Sequence, residues 1–187
     1  MDPVKEKIRK SALSHFNQDG VHFHLDTISK ELKISKKTLY KHYENKEAIL
    51  SDIVDELFRV IKAKEHEIYT DKSLTPLEKL IEILCVYPDY EAVNYHHILS
   101  IKETYPQLYQ RVDLYLENNW DETFELLNLN IELGLIRPIG NETFKILLLG
   151  LYKQLLLTEH DTPRMLMREC IHHIFHGLIK NNSEVPL

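Results

Sequence analysis

Apolar residues recur along this chain at the spacing of one helical turn. Ile8, Ala12 and Phe16 form one stripe, Ile28 and Leu32 a second, and Ile49, Ile53, Leu57 and Ile61 a long third. Such spacing places each set on one face of an α-helix. The pattern predicts helices over about 3–18, 25–32, 36–43, 46–70, 76–87, 90–103, 106–134, 142–160 and 163–181. Helix starts are marked by Asp2-Pro3, Thr75-Pro76 and Thr162-Pro163, where a capping side chain precedes a proline whose missing N–H costs nothing at the first helical position. Thr75 and Glu78 have capping-box spacing, and Asn45 is placed to cap the long helix. Of five glycines, Gly20 and Gly134 follow helical patterns as stops. With no alternating strand or hairpin pattern, the fold class is all-α.

The segment from Ile28 to Leu50, ISKELKISKKTLYKHYENKEAIL, carries the densest signal. It reads as a short helix, a tight turn through Lys33-Ile34-Ser35, a second short helix capped by Ser35, and the start of a third. If Leu39 closes onto the core made by Ile8, Ala12, Phe16, Ile28 and Leu32, then Lys37, Thr38, Tyr40 and Lys41 fall on the outward arc. Cations, a hydroxyl and a phenol on one small helix suit phosphates and base edges. This is a helix-turn-helix head, with the helix at 46–70 connecting it mechanically to the rest.

Charge strengthens that reading. The chain of 187 residues has a formal charge of -6, yet residues 1–46 hold ten Lys or Arg against six Asp or Glu, a net +4, which leaves -10 for the remainder. A basic head on an acidic body points to nucleic acid at the N-terminal end alone. No apolar run reaches the roughly 18–20 residues that span a bilayer, and the first residues lack a secretory h-region. The expected setting is therefore cytoplasmic, without membrane, and Cys85 and Cys170 are expected as reduced thiols.

Ile8, Ser11-Ala12, His15-Phe16, Asp19-Gly20, ISKEL at 28–32, ISKKTLY at 34–40, His42-Tyr43 and Asn45-Lys46-Glu47 together resemble the N-terminal domain of TetR/AcrR-type transcriptional regulators. Gly134-Leu135-Ile136-Arg137-Pro138 is similar to that family's connection into its last two helices. The resemblance implies a helix-turn-helix DNA-binding domain at 1–46 and a helical body at 47–187 that dimerises and binds a small effector. It further implies a homodimeric repressor on a palindromic, inverted-repeat operator in double-stranded DNA. Matching positions assign backbone phosphates to Tyr40 and Lys46, and base-edge or groove contacts to Lys36, Lys37, Thr38 and Lys41, with His42 flanking. The sequence departs from the family at Lys33, where glycine is frequent in the turn, and at Lys37, where small residues are. Phe23 and His24 replace the usual threonines, which passes a phosphate contact to Thr27.

The last two predicted helices are more apolar than an outer pair should be. A homodimer interface at Leu147, Gly150, Leu151, Met167, Ile171, Ile174, Phe175 and Leu178 would bury that surface. Between about 85 and 125 the chain is rich in aromatics, and Cys85, Tyr87, Tyr95, Tyr109, Trp120 and Phe124 are candidate walls of a pocket for an apolar or amphipathic effector. His172 and His176 share a helix face, but without a matching third ligand they imply no metal, and no cofactor is implied elsewhere. There is no phosphate loop, nucleophile elbow or metal-protease helix, so an enzyme is not expected. The competing readings are a helical protein-interaction module that uses its helix-turn-helix only for packing, and a regulator controlled by a protein partner.

Overall fold

Asp2 opens the first helix as the sequence predicts, its carboxylate accepting from Val4 N at 2.9 Å and Lys5 N at 3.5 Å. The computed structural model describes residues 2–86, 96–157 and 162–179. Within them run α1 (Pro3–Asp19), a 3-10 turn (Gly20–His22), α2 (Leu25–Glu31), α3 (Lys36–His42), α4 (Lys46–Thr70), α5 (Pro76–Leu84), α6 (His96–Thr104), α7 (Pro106–Glu117), α8 (Asp121–Glu132), α9 (Asn141–Leu157) and α10 (Pro163–Leu178). The fold is all-α; among the described residues the sole β pairing is an isolated antiparallel bridge between Ile136 and Ile179.

The chain divides into two compact units, Met1–Arg59 with Pro88–Leu114, and Val60–Tyr87 with Tyr115–Leu187. In the first, Ile8, Ala12, Phe16, Ile28, Leu39 and Ile49 are each at most 1% exposed, so the stripes seen in the sequence do meet. Each buried Ile, Leu or Phe contributes about 1.5–3 kcal/mol of transfer free energy, which is what holds such short helices in place. Gly20 has φ 59° and lies under α6, where an added Cβ would come within 2.9 Å of His97 Nδ1 and 3.0 Å of Ser100 Oγ. Val21 N donates to the same Ser100 hydroxyl at 3.3 Å. Arg9, 8% exposed, reaches Glu56 at 3.4 Å and Asp52 at 3.8 Å, tying α1 to α4.

The second unit is built on Leu80, Ile81 and Leu84 of α5, Leu126 and Leu127 of α8, Phe144 and Leu148 of α9, and Met167, Ile171 and Phe175 of α10. Phe144 and Phe175 meet edge to face at 6.3 Å. Thr75 forms the full capping box with Glu78. Asn130, fully buried, donates its amide to the carbonyls of Pro76 at 3.0 Å and Leu126 at 2.8 Å.

Three expectations change. The predicted helix at 106–134 is two helices, broken at Asn119, whose φ of 63° no α-helix accepts. Thr162 makes no side-chain cap. Met167, Ile171 and Phe175 are 3%, 0% and 0% exposed within a single protomer, so these three cannot meet a second copy; they form this unit's own core. The outward face of α9 instead carries Ile146 at 61% and Leu147 at 49% exposed, with Gly150 beside them and Met165 of α10 at 67%. Leu151, Ile174 and Leu178 are half-buried against the core.

Candidate nucleic-acid interface

The turn between α2 and α3 decides which side chains α3 presents. Ile34 N donates to Ser29 O at 3.0 Å and Lys33 N to Lys30 O at 3.2 Å, the two bonds of a Schellman motif, with Lys33 at φ 53°. The same motif ends α8, where Leu135 N meets Asn130 O at 3.0 Å and Gly134 N meets Ile131 O at 3.0 Å, and there the residue at positive φ, 73°, is glycine. The helix-turn-helix thus carries a lysine where backbone geometry favours glycine.

Ser35 caps α3 by accepting from Thr38 N at 3.0 Å. With Leu39 buried, Lys36, Lys37, Tyr40 and Lys41 are exposed, Tyr40 at 51%. Their situations differ. Lys36 Nζ lies 2.7 Å from Asp26 Oδ2; that bond raises the lysine's pKa and holds the carboxyl below its ordinary range. Lys37 and Lys41 are exposed with no hydrogen bond or ion pair among the described residues, Lys41 acting only at longer range on Asp2, so both ammonium groups can meet an approaching polyanion. Tyr40 stands between them in sequence as a phenol able to donate to phosphate.

The other predicted contacts are more committed. Thr38, half-buried, has its hydroxyl 2.8 Å from that of Ser35, so it serves the cap. His42 Nδ1 is 3.0 Å from Asp2 Oδ2, joining the end of α3 to the start of α1. Thr27 is exposed on α2. Lys46, assigned to phosphate by the resemblance, points inward: its Nζ donates to Val21 O at 2.9 Å and lies 4.9 Å from the Phe23 ring centroid. Burial lowers its pKa. Its sequence signal was genuine, a lysine at a capped helix start, since Asn45 Oδ1 does accept from Ala48 N at 2.8 Å; the carbonyl that captures the ammonium comes from a different segment. Tyr43, part of the quoted motif but given no role from the sequence, is 3% exposed and donates to Asp52, fixing the exit of α3 against α4.

The described residues expected to line an effector pocket divide between the two units. Cys85, with burial pushing its thiol up to about 11, belongs to the second unit's core with Trp120 and Phe124. Tyr109 belongs to the first unit, its ring 5.3 Å from Lys102 Nζ. Tyr87 and Tyr95 lie outside the described residues. No group of three metal-ligating side chains occurs among the described residues, and no described helix is long and apolar enough to cross a membrane.

Comparison with known proteins places this geometry. Residues 8–53 match the family of bacterial regulatory proteins of the tetR type. The chain is 25% identical over 181 residues to YvaF of Bacillus subtilis, an uncharacterized HTH-type transcriptional regulator, covering 94% of this chain and 95% of that one. A TetR-family regulator from Cytophaga hutchinsonii has the same fold at TM-score 0.75 and 16% identity, covering 97% of each chain. One from Haloarcula marismortui gives 0.76 at 16% identity, over 94% of this chain and 98% of the other. A regulator from Saccharomonospora viridis, solved in complex with choline, gives 0.72 at 17% identity over 95% and 98%. The exposed basic face of α3 lies within the segment, residues 8–53, that matches the tetR family of bacterial regulatory proteins, and over nearly its whole length the chain is similar to an HTH-type transcriptional regulator.

Proposed function

We propose that the protein is a homodimeric repressor whose two heads read an inverted-repeat operator and whose body releases it on binding a small effector. The observation that carries this reading is α3: a capped helix pinned by Leu39 that offers Lys37, Tyr40 and Lys41 outward from a buried three-helix core. Lys37 and Lys41 are the leading candidates for groove contacts, Tyr40 for a phosphate, with Lys36 joining when DNA competes with Asp26.

The second copy is assigned to the outward face of α9. Ile146 and Leu147 are exposed there, and at Gly150 an added Cβ would meet nothing within 4 Å, which leaves room for close helix approach. Effector release needs the ligand to favour a spacing of the heads that no longer matches half-sites about 34–36 Å apart. A coupling of about 1–3 kcal/mol changes affinity roughly 5- to 150-fold. That a neighbour of this fold was solved with choline favours a small-molecule effector over a protein partner.

The test is selection from random duplex DNA at about 150 mM salt, where nonspecific attraction is screened. An enriched inverted repeat whose binding falls in Lys37→Ala and Lys41→Ala, with helicity unchanged, supports the proposal. A folded protein that enriches nothing favours the interaction-module reading. Gly150→Arg should yield a folded monomer in sedimentation; an intact dimer would move the interface elsewhere.

A further inference from the structure

Within the second unit, one carboxylate stands where a solvated helix charge would be expected and is instead largely enclosed. Glu65 of α4 has a side chain 17% exposed, and burial holds its carboxyl above the ordinary glutamate range. Lys62 Nζ sits 2.6 Å from Glu65 Oε2 and 2.8 Å from Asn119 O. Carboxylate and carbonyl together therefore already hold one ammonium group. The lysine side chain is 35% exposed and can swing outward on its four-carbon stem.

Asn119, whose carbonyl holds the Lys62 ammonium, is followed in the chain by Trp120 of an aromatic cluster. Trp120 stacks on Phe124 at 5.9 Å between centroids and lies 6.4 Å from Tyr152. Tyr152 donates to Leu84 O at 3.0 Å, and its ionisation is disfavoured first by burial and then by the negative charge of Glu65. Trp120 Nε1 is satisfied by Leu116 O at 2.8 Å, so the indole is held by its edge. Nearby Glu122 adds further negative potential at Glu65, in contact with His66 at 2.6 Å. Enclosed negative charge beside aromatic rings is the chemistry that recognises quaternary and other organic ammonium groups. An anion would meet Glu65 and Glu122, and a bare metal ion would find a single enclosed carboxylate.

We propose that the second unit binds an organic cation, with Glu65 as counter-charge, Trp120, Phe124 and Tyr152 as aromatic surface, and Lys62 as the resident cation that the ligand displaces. This rests on the reading that the body takes a small effector, and it names that effector's chemical class.

Trp120 is the single tryptophan of the chain, so its fluorescence reports the site directly. The probes are benzyltrimethylammonium and neopentylbenzene, the same shape with carbon in place of the charged nitrogen, titrated into the full-length protein. The expected result is saturable change with at least about tenfold preference for the cation. In Glu65→Gln, checked for unchanged circular dichroism, the preference should fall to within about threefold. Lys62→Met, which keeps the carboxylate, should bind the cation more tightly than wild type. Equal affinity for the two probes, a preference that survives Glu65→Gln, weaker or unchanged cation binding in Lys62→Met, or no saturable signal from folded protein overturns the proposal. Operator binding is measured separately. Cation binding without operator release keeps this site and refutes the release mechanism, whereas release by some other ligand does the reverse.

Discussion

Replacing Lys33 with glycine should stabilise the DNA-binding head. Lys33 sits at φ 53° in the turn between α2 and α3. A side chain in left-handed backbone costs roughly 1–2 kcal/mol through the approach of Cβ to the following carbonyl. Glycine avoids that contact but loses about 0.5–1 kcal/mol more in chain entropy on folding. The difference leaves a gain of roughly 0.5–1 kcal/mol for Lys33→Gly. With a urea m-value of about 2 kcal/mol/M, the midpoint should rise by roughly 0.2–0.5 M with m unchanged. Far-UV circular dichroism in urea measures it, and hydrogen exchange at the Ile34 amide, bonded to Ser29 O at 3.0 Å, localises the gain to the turn. Lys33→Ala is the control, because alanine keeps the Cβ while removing a charge that stands close in sequence to Lys30, Lys36 and Lys37. Stabilisation by alanine equal to that by glycine would assign the effect to charge repulsion and refute the backbone argument; loss of stability in Lys33→Gly would refute it outright.

Two further outcomes follow from the same head. Lys46→Met should leave the salt dependence of operator binding unchanged while costing about 1–3 kcal/mol of stability, because it strands the carbonyl of the buried Val21 that the ammonium satisfies; Lys41→Ala, in contrast, should reduce the salt slope by about one unit with little effect on stability, and a slope change in Lys46→Met as large as that would restore it as a phosphate ligand. Glu31 accepts from His15 Nε2 and Ser11 Oγ, each at 2.9 Å, and these bonds hold its carboxyl below the ordinary range. A carboxyl lowered in the folded state contributes stability above its unfolded pKa and loses it as pH falls through the folded one. Wild type should therefore lose more stability than Glu31→Gln between about pH 5 and the lower folded value, and parallel acid-denaturation curves for the two would sink this assignment.

What the sequence disclosed and what it withheld divide along a physical line. A helix is defined by residues three and four apart, so the stripe Ile8, Ala12, Phe16 and the caps at Asp2, Ser35, Asn45 and Thr75 could be read from neighbours alone, and each cap forms. The break at Asn119 escaped because apolar spacing continues through it while the backbone reverses to positive φ. The face of α3 was legible for the same local reason, since fixing Leu39 inward fixes Lys37, Tyr40 and Lys41 outward.

Which of those charges are free is a different question, settled by residues distant in the chain. Asp26 takes Lys36 from ten positions away, and Val21 takes Lys46 from twenty-five. Neither pairing leaves a trace in the lysine's own surroundings. The same holds for burial in the body: Met167, Ile171 and Phe175 have the periodicity of an exposed apolar stripe, and only the arrival of α5, α8 and α9 decides that they face their own core. Glu65 shows the converse. Beside Lys62 on a charged stretch of α4 it reads as an ordinary surface pair, yet in the folded unit its side chain is only 17% exposed. Periodicity therefore assigns a side chain to a face, whereas its availability to DNA or ligand depends on long-range packing. For that reason the contacts that pass both tests, Lys37 and Lys41, carry the functional reading further than the larger set of basic residues from which they come.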